Sequence, residues 1–133
     1  MPDGLTDDEL AFLQGVLDHA REGRTDELAQ ALDRGVPVNL TSGAGDSLLL
    51  LAAYHDHPAT VRLLLERGAD VERVNDRGQT ALGAAVFRRS HETVSALLRA
   101  GADPDAGGRS ARDIATVFEL DGMAELLRTG TQD

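Results

Sequence analysis

The sequence predicts an all-α fold, a solenoid of four stacked helix-turn-helix repeats with short β-hairpin or loop fingers between them. The first observation behind this prediction is a period of 33 residues, at which Gly35, Gly68 and Gly101 recur. The second is that residues 45–70 match residues 78–103 in their pattern at the same offset. The third is that apolar residues lie at helical spacing around a turn in each unit, which is typical of paired short helices.

The first unit opens with a capping box, in which Thr6 and Glu9 can exchange hydrogen bonds with the backbone of the first turn. A long helix is predicted to follow, with apolar residues at helical spacing at Leu10, Leu13 and Leu17. Gly23 breaks this helix. A second helix is then predicted from Thr25 to Arg34, closing at Gly35.

The two central units carry matching helix signals. Ser47 and Thr80 each supply a hydroxyl that can cap a first helix. These first helices are predicted to end at Tyr54 and Phe87. Pro58 suits the first turn of a second helix, because its missing N–H would have no helical partner there. Glycines, which favour a left-handed cap, follow the ends of the second helices at Gly68 and Gly101.

The last unit begins at Ser110 and repeats the apolar spacing at Met123, Leu126 and Leu127. Its connection from Gly101 is shorter than that of the preceding unit, so a truncated last finger is predicted. The first and last units are expected to act as atypical caps of the stack. One domain is predicted over residues 1–133, with repeats at approximately 5–40, 41–74, 75–107 and 108–130.

These units resemble the ankyrin repeat over nearly the whole chain. The family's Gly-x-Thr-Pro-Leu-His-x-Ala-Ala segment is matched here at Gly78, Thr80, Leu82 and Ala85. Its Val-x-x-Leu-Leu and Gly-Ala-Asp segments are matched at Val94, Leu97, Leu98 and residues 101–103. The resemblance implies a protein-binding module without catalysis, whose contacts lie on the concave side.

The chain departs from the family pattern at two positions of the first helix. Leu48 and Ala81 stand where the family has proline, and Leu50 and Gly83 stand where it has histidine. That histidine hydrogen-bonds across neighbouring repeats in the family. The resemblance therefore implies a weaker hydrogen-bond network here, for which leucine and alanine packing can compensate.

Composition excludes several function classes. The chain has 13 basic residues, all of them arginine, against 23 acidic ones, for a net charge of −10. Phosphate backbones and anionic lipids repel such a chain, so neither nucleic acid nor a membrane surface is an expected partner. No cysteine is present for thiol chemistry, and no cofactor is expected. Without a secretory signal or a long apolar run, a cytoplasmic protein is expected. The resemblance to small stand-alone ankyrin-repeat proteins, together with the all-arginine composition, implies a bacterial type.

The family's concave positions give two rows of candidate binding residues. One row consists of Arg21, Tyr54, Phe87 and Val117, and the next of Glu22, His55, Arg88 and Phe118. Aromatic side chains at surface positions are typical anchors of protein interfaces. In an alternative that the sequence leaves open, Tyr54 and Phe87 stack on each other and cover the seam between repeats.

Finger residues extend the predicted binding surface by Asp46, Asp76, Arg77 and Gln79. Together with Arg88 and Arg89, they make the third repeat cationic and aromatic within an acidic protein. This combination suits a protein partner that offers carboxylates beside an apolar patch. The alternative is a solvated polar rim whose single charges contribute little. A monomer that binds an unidentified protein is the favoured hypothesis.

Two other hypotheses compete with it. A metal-dependent enzyme could use His55 and His57, with His91 one repeat along. Equivalent positions of stacked repeats lie about 10 Å apart, which is too far for shared metal ligation, so loop histidines without a metal are favoured. The third hypothesis is a self-assembling scaffold, in which the end repeats of neighbouring copies stack.

Overall fold

The computed structural model describes residues 5–129, which form eight α-helices joined by turns and loops, without a β-strand in that range. The helices are α1 (Asp7–Glu22), α2 (Thr25–Asp33), α3 (Leu48–Tyr54), α4 (Pro58–Glu66), α5 (Ala81–Phe87), α6 (His91–Arg99), α7 (Ala111–Val117) and α8 (Asp121–Thr129). None of these helices combines the length and apolar character needed to cross a membrane. The predicted limits at residues 1, 130 and 133 lie outside the described residues.

The eight helices stack as four pairs in two layers. Each odd-numbered helix contacts the even-numbered helix that follows it, and α1, α3, α5 and α7 contact one another in chain order. The even-numbered helices make the same succession of contacts in the second layer. This nearest-neighbour packing confirms the predicted all-α solenoid. An aliphatic core runs through the stack, with fully buried side chains at Leu28, Leu49, Leu64, Leu82, Leu97 and Leu126.

The predicted caps of the first helices are confirmed. The Thr6 hydroxyl accepts the N–H of Glu9 at 3.0 Å, and the Glu9 carboxylate accepts the N–H of Thr6 at 2.8 Å. Ser47 and Thr80 each accept a hydrogen bond at 3.0 Å from the N–H three residues later, and Ser110 does so at 3.1 Å. Each hydroxyl thereby satisfies a backbone donor that the helix itself leaves without a partner.

The breaks between helices also fall where the sequence predicts them. Helix α4 begins at Pro58, and α1 ends at Gly23, whose φ of 74° lies in the left-handed region. Helix α2 ends at Asp33, one residue before the predicted limit. The connection from α6 to α7 is shorter than that from α4 to α5, as the truncated last finger requires.

The fingers are loops, one of the two forms that the sequence predicts, and no β-hairpin forms within the described residues. Only one isolated antiparallel bridge, between Thr41 and Ser47, is present in that range. Side-chain hydrogen bonds hold the loops instead, and buried Asn75 is the clearest case. Its Oδ1 accepts two N–H groups of its own finger, at 3.0 and 2.9 Å, while its Nδ2 donates to Asp46 of the preceding finger at 2.8 Å.

Hydrogen bonds cross between repeats at positions other than the family histidine. The hydroxyls of Thr25 and Thr60 lie 2.8 Å apart, and Thr60 is fully buried. On the finger side, the N–H of Asp70 donates to the side-chain oxygen of Asn39 at 2.9 Å. These bonds link residues about one repeat apart. They therefore fix the register between neighbouring helix pairs, which the non-directional packing of the apolar core would not fix alone.

Candidate protein-binding surface

The C-terminal ends of the first helices form a row along one edge of the stack. Helix α3 ends at Tyr54 and α5 ends at Phe87, while Phe118 directly follows the end of α7. The exposed fractions of these residues are 42%, 45% and 51%, respectively. Three of the four aromatic residues therefore lie exposed on this row, whereas the core is aliphatic.

The aromatic rings pair differently from the stack that the sequence left open. Phe87 and Phe118 meet edge to face, with centroids 5.5 Å apart and planes at 71°. Tyr54 lies against His55, with centroids 5.2 Å apart. In the described part of the chain, Tyr54 and Phe87 are thus each paired with another ring. The edge-to-face pair is the arrangement that the quadrupoles of two aromatic rings favour.

A groove of about 320 Å³ opens beside these rings and is termed the central groove. Its exposed lining residues are Tyr54, Arg77, Phe87, Arg109 and Phe118. Its buried or half-buried lining residues are Gln79, Thr80, Gly83, Ala84 and Ile114. The structure therefore brings five of the predicted binding residues together in one place, namely Tyr54, Arg77, Gln79, Phe87 and Phe118.

Gly83 lets the last repeat approach closely at the base of the central groove. A Cβ atom at this position would lie 3.1 Å from Cδ1 of Ile114 and 3.3 Å from the carbonyl oxygen of Arg109. Because no side chain projects from α5 here, the Ile114 side chain and the Arg109 carbonyl group can lie against its backbone. The glycine that replaces the family histidine thus shapes both the repeat contact and the groove.

A second groove of about 380 Å³, termed the side groove, also borders the aromatic pair. It shares Phe87 and Phe118 with the central groove. Its remaining lining residues are Asp56, Arg88, Arg89 and Leu120. Two further predicted residues, Arg88 and Arg89, are therefore next to the central groove but not within it.

Three basic residues surround His55 of the second predicted row closely enough to influence its charge. Partial burial lowers the pKa of His55 below its ordinary value of 6.5, and the charges of Arg21, His57 and Arg88 lower that pKa further. Arg21 belongs to α1 and is ion-paired with Asp18, whereas Arg88 caps α5. Residues of the first three helix pairs thus influence His55. Of these, only Arg88 belongs to the same predicted row as His55, while Arg21 belongs to the other row.

Replacing His55 by glutamine is expected to weaken the pH dependence of stability below pH 6.5. In the wild type, the unfolded chain binds a proton at His55 more readily than the folded chain, so the free energy of unfolding falls as the pH drops through this window. Above the window the histidine is neutral in both states. Urea unfolding at about pH 5.5 and about pH 7.5 measures the difference. Equal losses of stability in the two proteins would contradict the prediction.

His57 joins the first two helix pairs. Its Nε2–H donates to the carbonyl oxygen of Arg21 at 2.9 Å. Its ring lies so close to Gly23 that a Cβ atom there would be 2.5 to 2.9 Å from three ring atoms. Within residues 5–129, no group of three or more histidine, cysteine, aspartate or glutamate side chains is placed to hold a metal ion. One nitrogen of His57 is thus engaged in a contact between repeats.

The predicted acidic finger residues contact other fingers. Asp46 accepts the side-chain N–H of Asn75, and the backbone N–H of Asp76 donates to the carbonyl oxygen of Ala44 at 3.0 Å. Neither aspartate lines the central or the side groove. Gln79 accepts from Asn75 at 2.8 Å while it also lines the central groove. These contacts set the spacing of the fingers.

Arg109 is a lining residue that the sequence prediction missed. It directly precedes the cap residue Ser110, as Gln79 directly precedes the cap residue Thr80. The shorter last finger shifts this position away from the constant 33-residue period. Aligning the repeats on their cap residues, rather than on a constant period, would have identified Arg109 as the equivalent of Gln79.

Comparisons with known proteins agree with this architecture. The family model described as ankyrin repeats in three copies matches residues 17–107. The protein PA3287 of Pseudomonas aeruginosa, named as an ankyrin repeat protein, is 50% identical over 52 residues, which are 39% of this chain and 30% of that protein. The human ASB11 ankyrin repeat domain, a crystal structure, matches with a TM-score of 0.77 and 30% identity over 86% of this chain and 52% of that one.

The lengths of chain covered by these matches differ. The chain spans less than a third of the length of the bacterial relative and about half of the human domain. The family model, in contrast, covers more than half of the chain, including both central repeats. By its sequence and by its stacked helix pairs, the chain belongs to the ankyrin repeat family.

Proposed function

We propose that the chain binds a partner protein through the central groove and the row of residues beside it, and that it does so without catalysis. Ankyrin repeats are generally protein–protein interaction modules, and proteins of this family are typically non-catalytic. We expect the chain to act in the cytoplasm, as a monomer, and not to bind nucleic acid. The net charge of −10 supports the last point, because it opposes approach to phosphate backbones.

The observation that carries the proposal is the exposure of Tyr54, Phe87 and Phe118 around one groove. Covering the exposed half of such a ring would contribute roughly 2 kcal/mol by its apolar area alone. An exposed ion pair typically contributes only about 0 to 1 kcal/mol. The rings are therefore the expected anchors, and the surrounding charges are expected to orient the partner.

The test compares the wild type with the double variant Tyr54→Ala/Phe87→Ala as bait in a lysate of the source organism. Quantitative mass spectrometry is expected to find a protein whose capture falls at least about tenfold with the variant, since central aromatic anchors dominate binding energy. Circular dichroism must show that the variant keeps its helical content.

Phe12→Ala provides a matched control, because Phe12 is 47% exposed on α1 and lines neither groove. This control is expected to capture the same protein as the wild type. If the double variant also retains that protein, or if the wild type enriches none, binding through this surface is refuted.

A further inference from the structure

The arginines around the Phe87–Phe118 pair differ from most other arginines of the chain in their ion pairing. Within the described residues, acidic partners are present for Arg21, Arg24, Arg62, Arg67, Arg73, Arg112 and Arg128. Within residues 5–129, the guanidinium groups of Arg77, Arg88, Arg89 and Arg109 form no ion pair and no side-chain hydrogen bond. The chain has 23 acidic residues for 13 arginines, so the difference does not come from a shortage of carboxylates.

These four arginines line the two grooves that share the aromatic pair. Arg77 and Arg109 line the central groove, and Arg88 and Arg89 line the side groove. The side groove also contains the carboxylate of Asp56, which offsets part of its positive charge. The lining of the central groove includes no acidic residue, so its two guanidinium groups have no competing carboxylate there.

We propose that the central groove binds an acidic peptide segment of the partner protein, a proposal that rests on the function proposed above. An aromatic or large aliphatic side chain of the segment would enter the groove and pack against the exposed rings that line it. Carboxylates on either side of that side chain would bind Arg77 and Arg109. Arginine suits this role because its planar guanidinium group can donate two parallel hydrogen bonds to one carboxylate.

The acidity of the whole chain does not prevent such binding. Screening reduces interactions between exposed charges beyond about 10 Å at 0.1 M salt. A carboxylate in the central groove would therefore interact mainly with the arginines that line it. A single-stranded nucleic acid could also combine stacking with arginine contacts, but its many phosphates would extend over the acidic remainder of the surface.

The size of the central groove supports a segment of chain as its occupant. A volume of about 320 Å³ admits a large side chain with its neighbouring backbone, whereas a folded domain would reach only the exposed rings. Gly83 and Ala84 of α5 line the groove together with the exposed rings. The partner's anchor would thus be a single side chain in an otherwise polar, acidic sequence.

Selection from a random dodecapeptide library on the immobilised wild-type chain tests this chemistry. The enriched peptides are expected to place an aromatic or large aliphatic residue within a few positions of aspartate or glutamate. Failure to enrich any sequence, or enrichment of peptides without acidic residues, would overturn the proposal. An unstructured oligodeoxythymidine of similar length serves as the nucleic acid probe, and tighter binding of that probe than of the peptides would overturn it as well.

Fluorescence anisotropy then measures the affinity of an enriched peptide for matched variants. Arg77→Gln/Arg109→Gln is expected to weaken binding at least about tenfold, and exchange of the peptide's acids for amides is expected to act similarly. Arg34→Gln/Arg128→Gln removes the same charge from exposed positions outside both grooves and is expected to change the affinity less than about twofold. Equal effects of the two double variants would refute the assignment.

Capture from lysate separates this proposal from the more general one. If Tyr54→Ala/Phe87→Ala loses the captured protein while Arg77→Gln/Arg109→Gln retains it, the surface binds a protein. In that case only the proposal of an acidic peptide segment is refuted. If both double variants lose it, the two proposals are supported together. If the aromatic variant retains it, protein binding through this surface is refuted, and the acidic segment with it.

Discussion

Replacing Leu82 by alanine is expected to lower the free energy of unfolding by about 3 kcal/mol. Leu82 is 1% exposed in α5, the first helix of the third pair, which contacts both α3 and α7. The substitution removes apolar contacts on both sides of that helix and leaves a cavity that stacked helices can close only in part. In a solenoid this loss weakens two interfaces at once, because each repeat is held by its neighbours.

Urea unfolding followed by circular dichroism measures the effect, and Phe87→Ala in the same helix is the matched control. Phe87 is 45% exposed, so its removal is expected to cost only about 1 to 2 kcal/mol, less than the removal of Leu82. A comparable loss from both substitutions would mean that the Phe87–Phe118 contact belongs to the core. The expected difference would show that Phe87 can be altered in binding experiments without loss of the fold.

Local chemistry explains why the helices could be predicted from the sequence. The hydroxyls of Ser47 and Thr80 reach an N–H only three residues away, so the cap depends on neighbouring residues and on little else. The break at Gly23 and the start at Pro58 are local in the same sense. The 33-residue period then implied that the pairs stack, since one pair cannot bury its apolar face alone.

The contacts between repeats could not be predicted in the same way. His57 bonds to a carbonyl group 36 residues earlier, and nothing in the local sequence marks Arg21 as its partner. The partner of Phe87 is Phe118 and not Tyr54, because the direction of a ring depends on its own backbone and neighbours, whereas repeat spacing gives only its row. Distances across the stack therefore had to come from the structure.

Only part of the candidate binding surface could be predicted from the sequence, because the prediction relied on the constant repeat spacing. The period identified Tyr54 and Phe87 at equivalent positions, and both line the central groove. The 33-residue period did not identify Arg109, because the last finger is shorter. The shorter finger changes the spacing of the residues around the cap but not their order. The side chain of Asn75 links two fingers, a contact that turn composition alone does not indicate.

The second large effect concerns the close approach of Gly23 and His57. Gly23→Ala is expected to lower the free energy of unfolding by about 2 to 3 kcal/mol. Part of this cost arises because alanine is strained at a φ of 74°. The rest arises because the new Cβ atom, 2.5 Å from Nδ1 of His57, would displace a ring that is bonded to Arg21 on its other side.

A double-mutant cycle separates these two contributions. In the His57→Ala background the ring is absent, so Gly23→Ala is expected to cost only about 1 kcal/mol, the conformational part. Gly68→Ala gives an independent measure of that part, since Gly68 has a φ of 84° and a Cβ atom there would meet no other atom within 4 Å. Urea unfolding of the four proteins of the cycle and of this control provides the free energies. Equal costs of Gly23→Ala in both backgrounds would show that the ring moves aside freely, and that the His57 contact does not hold the first two helix pairs together.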